Sequence, residues 1–219
     1  MYLQLTTRCN MLCPHCCFSC TSRGTDMSLE TFRAALNYDE ESISIGGGEP
    51  TLHPLFEHFL ILAISKVQHV WIATNGKIKE HAMLLYRLAE KGVIEAELSQ
   101  DQYHEPIDPE VVEAFNSLTC EDGWNRGIGK RGIRNTTAFS DPFLAGRAYK
   151  LMGGYGRKEC ACDDTFVHPS GRVTQCGCPR SPTIGNVYDG YNSVCWGECY
   201  QSQAYKEAKR EAKVLSYCD

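Results

Sequence analysis

Three cysteines near the start of the chain, Cys9-Asn-Met-Leu-Cys13-Pro-His-Cys16, constrain what it can be more than any other feature. Three thiolates on one short loop can hold three irons of a 4Fe–4S cluster. The fourth iron then keeps a position open to a small molecule. Four-cysteine sites carry electrons, whereas a three-cysteine site can bind a molecule and act on it. A structural zinc site is the competing reading. Zinc knuckles favour two residues between the first pair of cysteines. Here there are three and then two, with no fourth Cys or His at matching spacing.

Composition narrows the setting. Thirteen cysteines in 219 residues, an odd number, fit poorly with a disulfide framework. The N-terminus lacks the basic and long apolar regions of a signal peptide, and no apolar run has transmembrane length. A reducing, cytoplasmic setting with metal-bound thiols is the expectation. A net charge of −5 supplies no global field toward nucleic acid or membrane. Lys130, Arg131 and Arg134 make a local basic stretch, read as a solvated loop.

The pattern along the chain alternates strand and helix. Tyr2–Thr7 reads as a strand running into the cysteine loop, and Ser28–Leu36 as a helix with Ser28 as N-cap. Strands follow at Ser42–Ile45, His69–Ala73 and Val93–Leu98, with helices at Pro54–Val67, Glu80–Lys91 and Pro109–Leu118. One further strand is placed near Gly132–Thr136. Such alternation implies βαβ units and a parallel sheet with right-handed crossovers. From about Lys158 the chain becomes cysteine-rich, with short extended pieces at Thr165–His168 and Arg172–Thr174 around a Pro169-Ser170-Gly171 turn, and a charged helix at Ala204–Val214.

A second motif, Gly47-Gly48-Glu49-Pro50, follows the second strand. Glycines there let backbone approach a ligand closely, at the C-terminal strand ends where α/β sheets bind ligands. The two motifs together resemble the signature of the radical S-adenosylmethionine (radical SAM) enzymes. The resemblance implies a partial (β/α)6 TIM-like barrel with a small cysteine-rich C-terminal extension of short hairpins and a helix. It implies a 4Fe–4S cluster on Cys9, Cys13 and Cys16, whose open iron is chelated by SAM. One electron then breaks SAM to a 5′-deoxyadenosyl radical, which takes a hydrogen atom from substrate.

SAM contacts are expected from Gly47, Gly48, Glu49, Asn75, Ser99 and Arg147, the last in a Gly146-Arg147-Ala148 element similar to one near the SAM carboxylate in the family. His15 is a departure, since the family has an aromatic residue before the third cysteine. Asp101, Tyr103 and His104 would sit at the barrel mouth as substrate or acid–base residues. Cys17 and Cys20 are read as buried thiols.

The C-terminal cysteines resemble the SPASM and Twitch auxiliary-cluster domains. The shorter Twitch form implies one auxiliary 4Fe–4S cluster on Cys160, Cys176, Cys195 and Cys199, with Cys162 and Cys178 as rivals and Cys120 and Cys218 without a role. A zinc ribbon is the alternative there. The expected division is a core over residues 1–157 and a Twitch-like domain over 158–219. Expected partners are an electron donor such as flavodoxin or ferredoxin, no membrane, and a substrate that is a peptide, a small molecule, or a modified nucleotide or DNA base. Oxidation, rearrangement and cross-linking are the expected outcomes. No peptide-recognition domain precedes the core, which weighs against a leader-peptide substrate. The compactness of residues 120–145 would suit a virus or mobile element. Two alternatives stand beside it: a non-catalytic zinc or Fe–S electron-transfer module, and a radical methylase, whose additional cysteines or cofactor domains are not identifiable in the sequence.

Colour separates the cluster reading from the zinc one. Anaerobically purified protein is expected to be brown. A colourless protein with tightly bound zinc would refute the cluster reading.

Overall fold

In the computed structural model the described residues are 1–38, 40–118, 129–134, 146–151, 165–177, 181 and 183–191. Five strands alternate with helices: β1 (Tyr2–Thr6), α1 (Leu29–Ala35), β2 (Ser42–Gly47), α2 (Phe56–Lys66), β3 (His69–Thr74), α3 (Lys79–Glu90), β4 (Glu95–Ser99), α4 (Pro109–Asn116) and β5 (Lys130–Arg134). A short 3₁₀ turn, Pro50–Leu52, precedes α2, and a short helix α5 (Gly146–Leu151) follows β5. Then come β6 (Phe166–Val167), β7 (Arg172–Thr174), β8 (Thr183–Asn186) and β9 (Gly190–Tyr191).

All strands share one sheet in the order β5-β4-β3-β2-β1-β6-β7-β8-β9. Pairs from β5 through to β6 are parallel, and pairs from β6 to β9 are antiparallel. β5 stands at one edge and does not return to β1, so the barrel is partial and unclosed. The cysteine-rich half adds β6 directly to the free edge of β1.

Register explains why the sheet has two different faces. Leu3, Ile45, Ile72 and Ala96 lie in one cross-strand row, each fully buried. That row faces the helices, where Phe32, Phe59, Leu85 and Phe115 are also fully buried. Phe32 and Phe59 stack with ring centroids 4.3 Å apart and so join α1 to α2. Each such side chain contributes about 1.5–3 kcal/mol by leaving water. One residue back, Tyr2, Ser44, Trp71 and Glu95 form the neighbouring row. The strand period of two turns that row to the opposite, polar face.

Local chemistry sets the element ends. The Ser28 hydroxyl accepts from the Thr31 N–H at 3.0 Å and caps α1, as expected from the sequence. Asp108 caps α4, and Pro109 occupies its first turn. Gly171 closes the β6–β7 turn with φ +82° and an N–H bond of 2.9 Å to the His168 carbonyl. Lys130, Arg131 and Arg134 form a strand, not a solvated loop, because β5 pairs in register with β4 over Glu95–Ser99. The expected helix at Ala204–Val214 lies outside the described residues. Among the described residues no helix is long and apolar enough to cross a membrane.

The long excursion between β1 and α1 is pinned at its base. Arg8 donates through Nε and Nη2 to the two Asp26 oxygens at 2.9 and 2.8 Å, and through Nη2 to the Leu52 carbonyl at 2.8 Å. Thr6 Oγ1 donates to Asp26 at 2.6 Å. Burial pushes the Asp26 carboxyl up, but Arg8 and Thr6 together hold it below its ordinary value. A carboxyl depressed by folding contributes stability above its unfolded pKa and loses that contribution as pH falls through the folded one. Asp26→Asn is therefore expected to lower stability by about 1 kcal/mol at neutral pH. The gap from wild type should close below about pH 4. Equal urea midpoints for the two proteins at pH 7 would refute this.

Candidate active site

The cysteine loop leaves β1 and folds back on itself. Thr7 N–H bonds to the Thr25 carbonyl at 3.0 Å, Cys9 N–H to Thr21 at 2.6 Å, and Met27 N–H to Leu5 at 2.8 Å. Met11 is buried and anchors the tip. Cys9, Cys13 and Cys16 are half-buried and form no disulfide. The thiols are close enough to disfavour one another's ionisation. Burial, then Cys9 and Cys16, push the Cys13 thiol up to about 11. Burial raises Cys9. Cys16 is lowered by a hydrogen bond from the Cys20 thiol, which is raised in turn. Three thiols on one loop, none of them in a disulfide, are the soft donors that iron takes, so the donor set fits an iron–sulfur cluster.

The Gly47–Pro50 turn lies against this loop. Gly48 N–H donates to the Thr6 carbonyl at 2.7 Å and Glu49 N–H to the Arg8 carbonyl at 2.8 Å, extending the β1–β2 ladder toward Cys9. A Cβ at Gly48 would overlap the Arg8 carbonyl, and one at Gly47 the Thr6 carbonyl. Gly47 also has φ +141°. Only glycine allows so close an approach.

Glu49 is 1% exposed, and its carboxylate is fully engaged by the protein. Oε1 accepts from Thr51 N–H at 3.3 Å, Thr51 Oγ1 at 2.7 Å and Thr74 Oγ1 at 2.7 Å, and Oε2 from Asn75 N–H at 2.7 Å. Burial still pushes its pKa up against these donors. Asn75 carries the network onward. Its Nδ2 donates to Asn10 Oδ1 at 2.8 Å and points to Cys9 Sγ at 3.7 Å. The ends of β2 and β3 and the cysteine loop are thus one hydrogen-bonded unit.

Arg147 sits beneath the loop. Its Nη1 donates to the Cys13 carbonyl at 2.8 Å and its Nη2 to the Cys20 carbonyl. The Arg147 and Ala148 N–H groups both reach the Cys16 carbonyl, at 3.0 and 3.3 Å. The Gly-Arg-Ala element therefore clasps the cysteine loop. Ser99 ends β4, is buried, and accepts from Arg134 Nη2 at 3.2 Å.

Beyond β4, Asp101 gathers the mouth residues. Its side chain is 0% exposed, and it accepts from His104 Nδ1 at 2.7 Å and Tyr103 N–H at 2.9 Å. His15 Nε2 lies 3.7 Å from the other carboxylate oxygen. The His15 ring packs against Tyr103 and His104, each at 4.9 Å between centroids. Burial lowers the His15 pKa. Asp101, Tyr103 and His104 lie together after β4, and His15 joins them from the cysteine loop.

Sequence reasoning missed Asn10 and Thr51, gave Thr74 only as the end of a strand, and read Arg134 only as part of a basic stretch. Asn10 lies inside the cysteine motif, but nothing in its spacing marks it. Cys20 is buried as expected, and Cys17 is half-buried. Of the expected auxiliary ligands, Cys176 is half-buried after β7, its N–H donating to Ser181 Oγ at 3.2 Å. Cys160, Cys195 and Cys199, and the rivals Cys162 and Cys178, lie outside the described residues, as do Cys120 and Cys218.

A family model described as the radical SAM superfamily matches residues 3–116. No curated protein matches the chain. Among solved structures, similarity is found to Streptococcus suis SuiB bound to S-adenosylmethionine, at 12% identity and TM-score 0.45, covering 93% of this chain and 66% of that one. The same protein bound to the precursor peptide SuiA matches at 11% identity and TM-score 0.45, covering 93% and 65%. The chain thus spans slightly less than two thirds of the length of these SuiB chains.

The Glu49 network yields a direct expectation. Glutamine offers one acceptor oxygen where the carboxylate offers two, so Glu49→Gln leaves a buried donor unsatisfied. Stability should fall by about 1–3 kcal/mol in denaturant titration, with a parallel loss of iron loading on reconstitution. Unchanged stability and iron content would show that the carboxylate does not hold the unit together.

Proposed function

The chain belongs to the radical SAM superfamily, and on that premise we propose that it is an enzyme that cleaves SAM reductively and abstracts a hydrogen atom from a substrate. The observation that carries this reading is the bonded unit of Glu49, Asn75 and the Cys9 loop, which sets an open three-thiol site beside a glycine turn. Cys9, Cys13 and Cys16 would hold the 4Fe–4S cluster. When bound, the cluster and SAM supply a 5′-deoxyadenosyl radical, the hard chemistry that no side chain provides.

The protein's own residues position and enclose. Gly47 and Gly48 let the turn close onto the Thr6 and Arg8 carbonyls, which brings it beside the methionine end of SAM. Glu49 and Asn75 keep that backbone in register with Cys9. Ser99 takes a second SAM contact at the end of β4. Arg147 acts through the carbonyls of the cysteine loop and so orients Cys13 and Cys16. Asp101, Tyr103 and His104 line the mouth on the substrate side. Asp101 fixes the His104 ring through Nδ1, which leaves Nε2 to exchange a proton with substrate.

The finer assignments belong to the same reading. Residues 1–157 form the core and 158–219 a Twitch-like domain, with one auxiliary cluster on Cys160, Cys176, Cys195 and Cys199. The enzyme is cytoplasmic and takes its electron from a flavodoxin or ferredoxin. Its substrate is a peptide, a small molecule, or a modified nucleotide or DNA base, and the reaction is of oxidoreductase or isomerase type.

The test is 5′-deoxyadenosine formation by anaerobically reconstituted protein given SAM and a strong reductant. Wild type should form it and Cys13→Ala should not. Protein with full iron and sulfide that neither binds SAM nor forms the product would overturn the proposal.

A further inference from the structure

Two imidazoles and a carboxylate from separate segments meet at one buried point. His15, Asp101 and His104 each offer one ligand atom, and the three atoms lie within 4.8 Å of one another. Their side chains are 13%, 0% and 9% exposed. Asp101 and His104 stand on a single turn, closed by the His104 N–H on the Asp101 carbonyl at 3.1 Å. The turn sets His104 Nδ1 2.7 Å from Asp101 Oδ1. The Tyr103 N–H donates to the same oxygen at 2.9 Å and so orients the carboxylate. Carboxylates that hold metals are commonly oriented by such a second bond.

His15 is the member that hydrogen bonding does not explain. Its Nδ1 is buried and has no hydrogen-bond partner among the described residues. Its Nε2 faces Asp101 Oδ2 at 3.7 Å, too far for a hydrogen bond. Ring packing on Tyr103 and His104 holds the imidazole there. A tetrahedral ion with bonds of about 2.0–2.2 Å sets its ligands about 3.3–3.6 Å apart. The gap between His15 and Asp101 is close to that spacing.

We propose that His15, Asp101 and His104 form a second metal site, separate from the three cysteines, for a divalent first-row transition ion such as zinc or ferrous iron. Imidazole nitrogens favour these ions, whereas magnesium and calcium call for oxygen ligands throughout. In taking His104 Nδ1 the ion replaces the proton shared with Asp101, and the ring keeps its one proton on Nε2. Three protein ligands leave a coordination position open, as in catalytic rather than structural zinc sites. That position takes water or a donor atom of the substrate. The substrate role rests on the radical SAM reading above; the site itself does not.

Zinc is the probe. Cluster-loaded protein, stripped of loosely held metal with a chelator, is titrated with zinc under nitrogen against a chromophoric competitor, and the bound zinc is examined by X-ray absorption. One equivalent should bind with nitrogen and oxygen neighbours at about 2.0–2.1 Å. His15→Phe keeps a ring packed on Tyr103, and His104→Gln keeps a donor for Asp101. Each should bind that equivalent about a hundredfold more weakly, with urea midpoints showing that it folds. For a variant that does not fold, the imidazole scattering of the wild-type zinc spectrum decides instead. Zinc on cysteines registers separately, as sulfur at about 2.3 Å, so failed cluster loading is not mistaken for this site. Zinc held by nitrogen and oxygen in protein that forms no 5′-deoxyadenosine counts against the enzyme reading while the metal site stands. Zinc bound through sulfur alone, no zinc at all, or undiminished affinity in both folded variants would overturn the site.

Discussion

The buried carboxylate of Glu49 is the interaction on which the rest of the mouth depends. A charge this deep is costly unless hydrogen bonds surround it. Here two threonine hydroxyls and two backbone N–H groups do so. These donors come from the turn after β2 and from the end of β3, two segments that the sheet alone would leave free to splay. Once the carboxylate joins them, Asn75 is held where its amide can reach Asn10 and Cys9. The position of the first cysteine thus follows from a carboxylate whose oxygens are taken up by the protein's own donors.

Ordering the long cysteine loop is a large entropic demand, about 1–2 kcal/mol of backbone freedom for each residue fixed. Three clamps offset it from different directions. Arg8 and Asp26 close its base, Glu49 and Asn75 hold its first cysteine, and Arg147 grips the carbonyls of Cys13 and Cys20. A cluster on Cys9, Cys13 and Cys16 would cross-link the loop, which makes cluster binding and loop order mutually reinforcing.

What could be read from the sequence follows the range of the interactions involved. The alternation of strands and helices, the Ser28 cap and the Pro169–Gly171 turn are local, and all appear in the structure. So does the cysteine loop beside the glycine turn, because both sit at strand ends that a parallel sheet must align. β5 was legible as a strand, but its basic residues also read as a solvated loop. Only pairing with Glu95 and Glu97 on β4 gives Arg131 its partners. Arg147 was legible as an arginine with a task, but its contacts in the fold are backbone carbonyls far away in sequence, which leave no mark in side-chain spacing. Asn10 and Thr74 escaped for the same reason.

The departure at His15 makes sense in this frame. A phenylalanine at that position could only pack, whereas histidine also presents a ring nitrogen 3.7 Å from Asp101. Asp101 in turn holds His104 and the Tyr103 backbone on the segment after β4. The cysteine loop thereby packs against the segment after β4 through the His15 ring, while Glu49 and Asn75 bond it to the ends of β2 and β3. A fold with its helix-facing row wholly apolar and the opposite row polar concentrates such ties on one face.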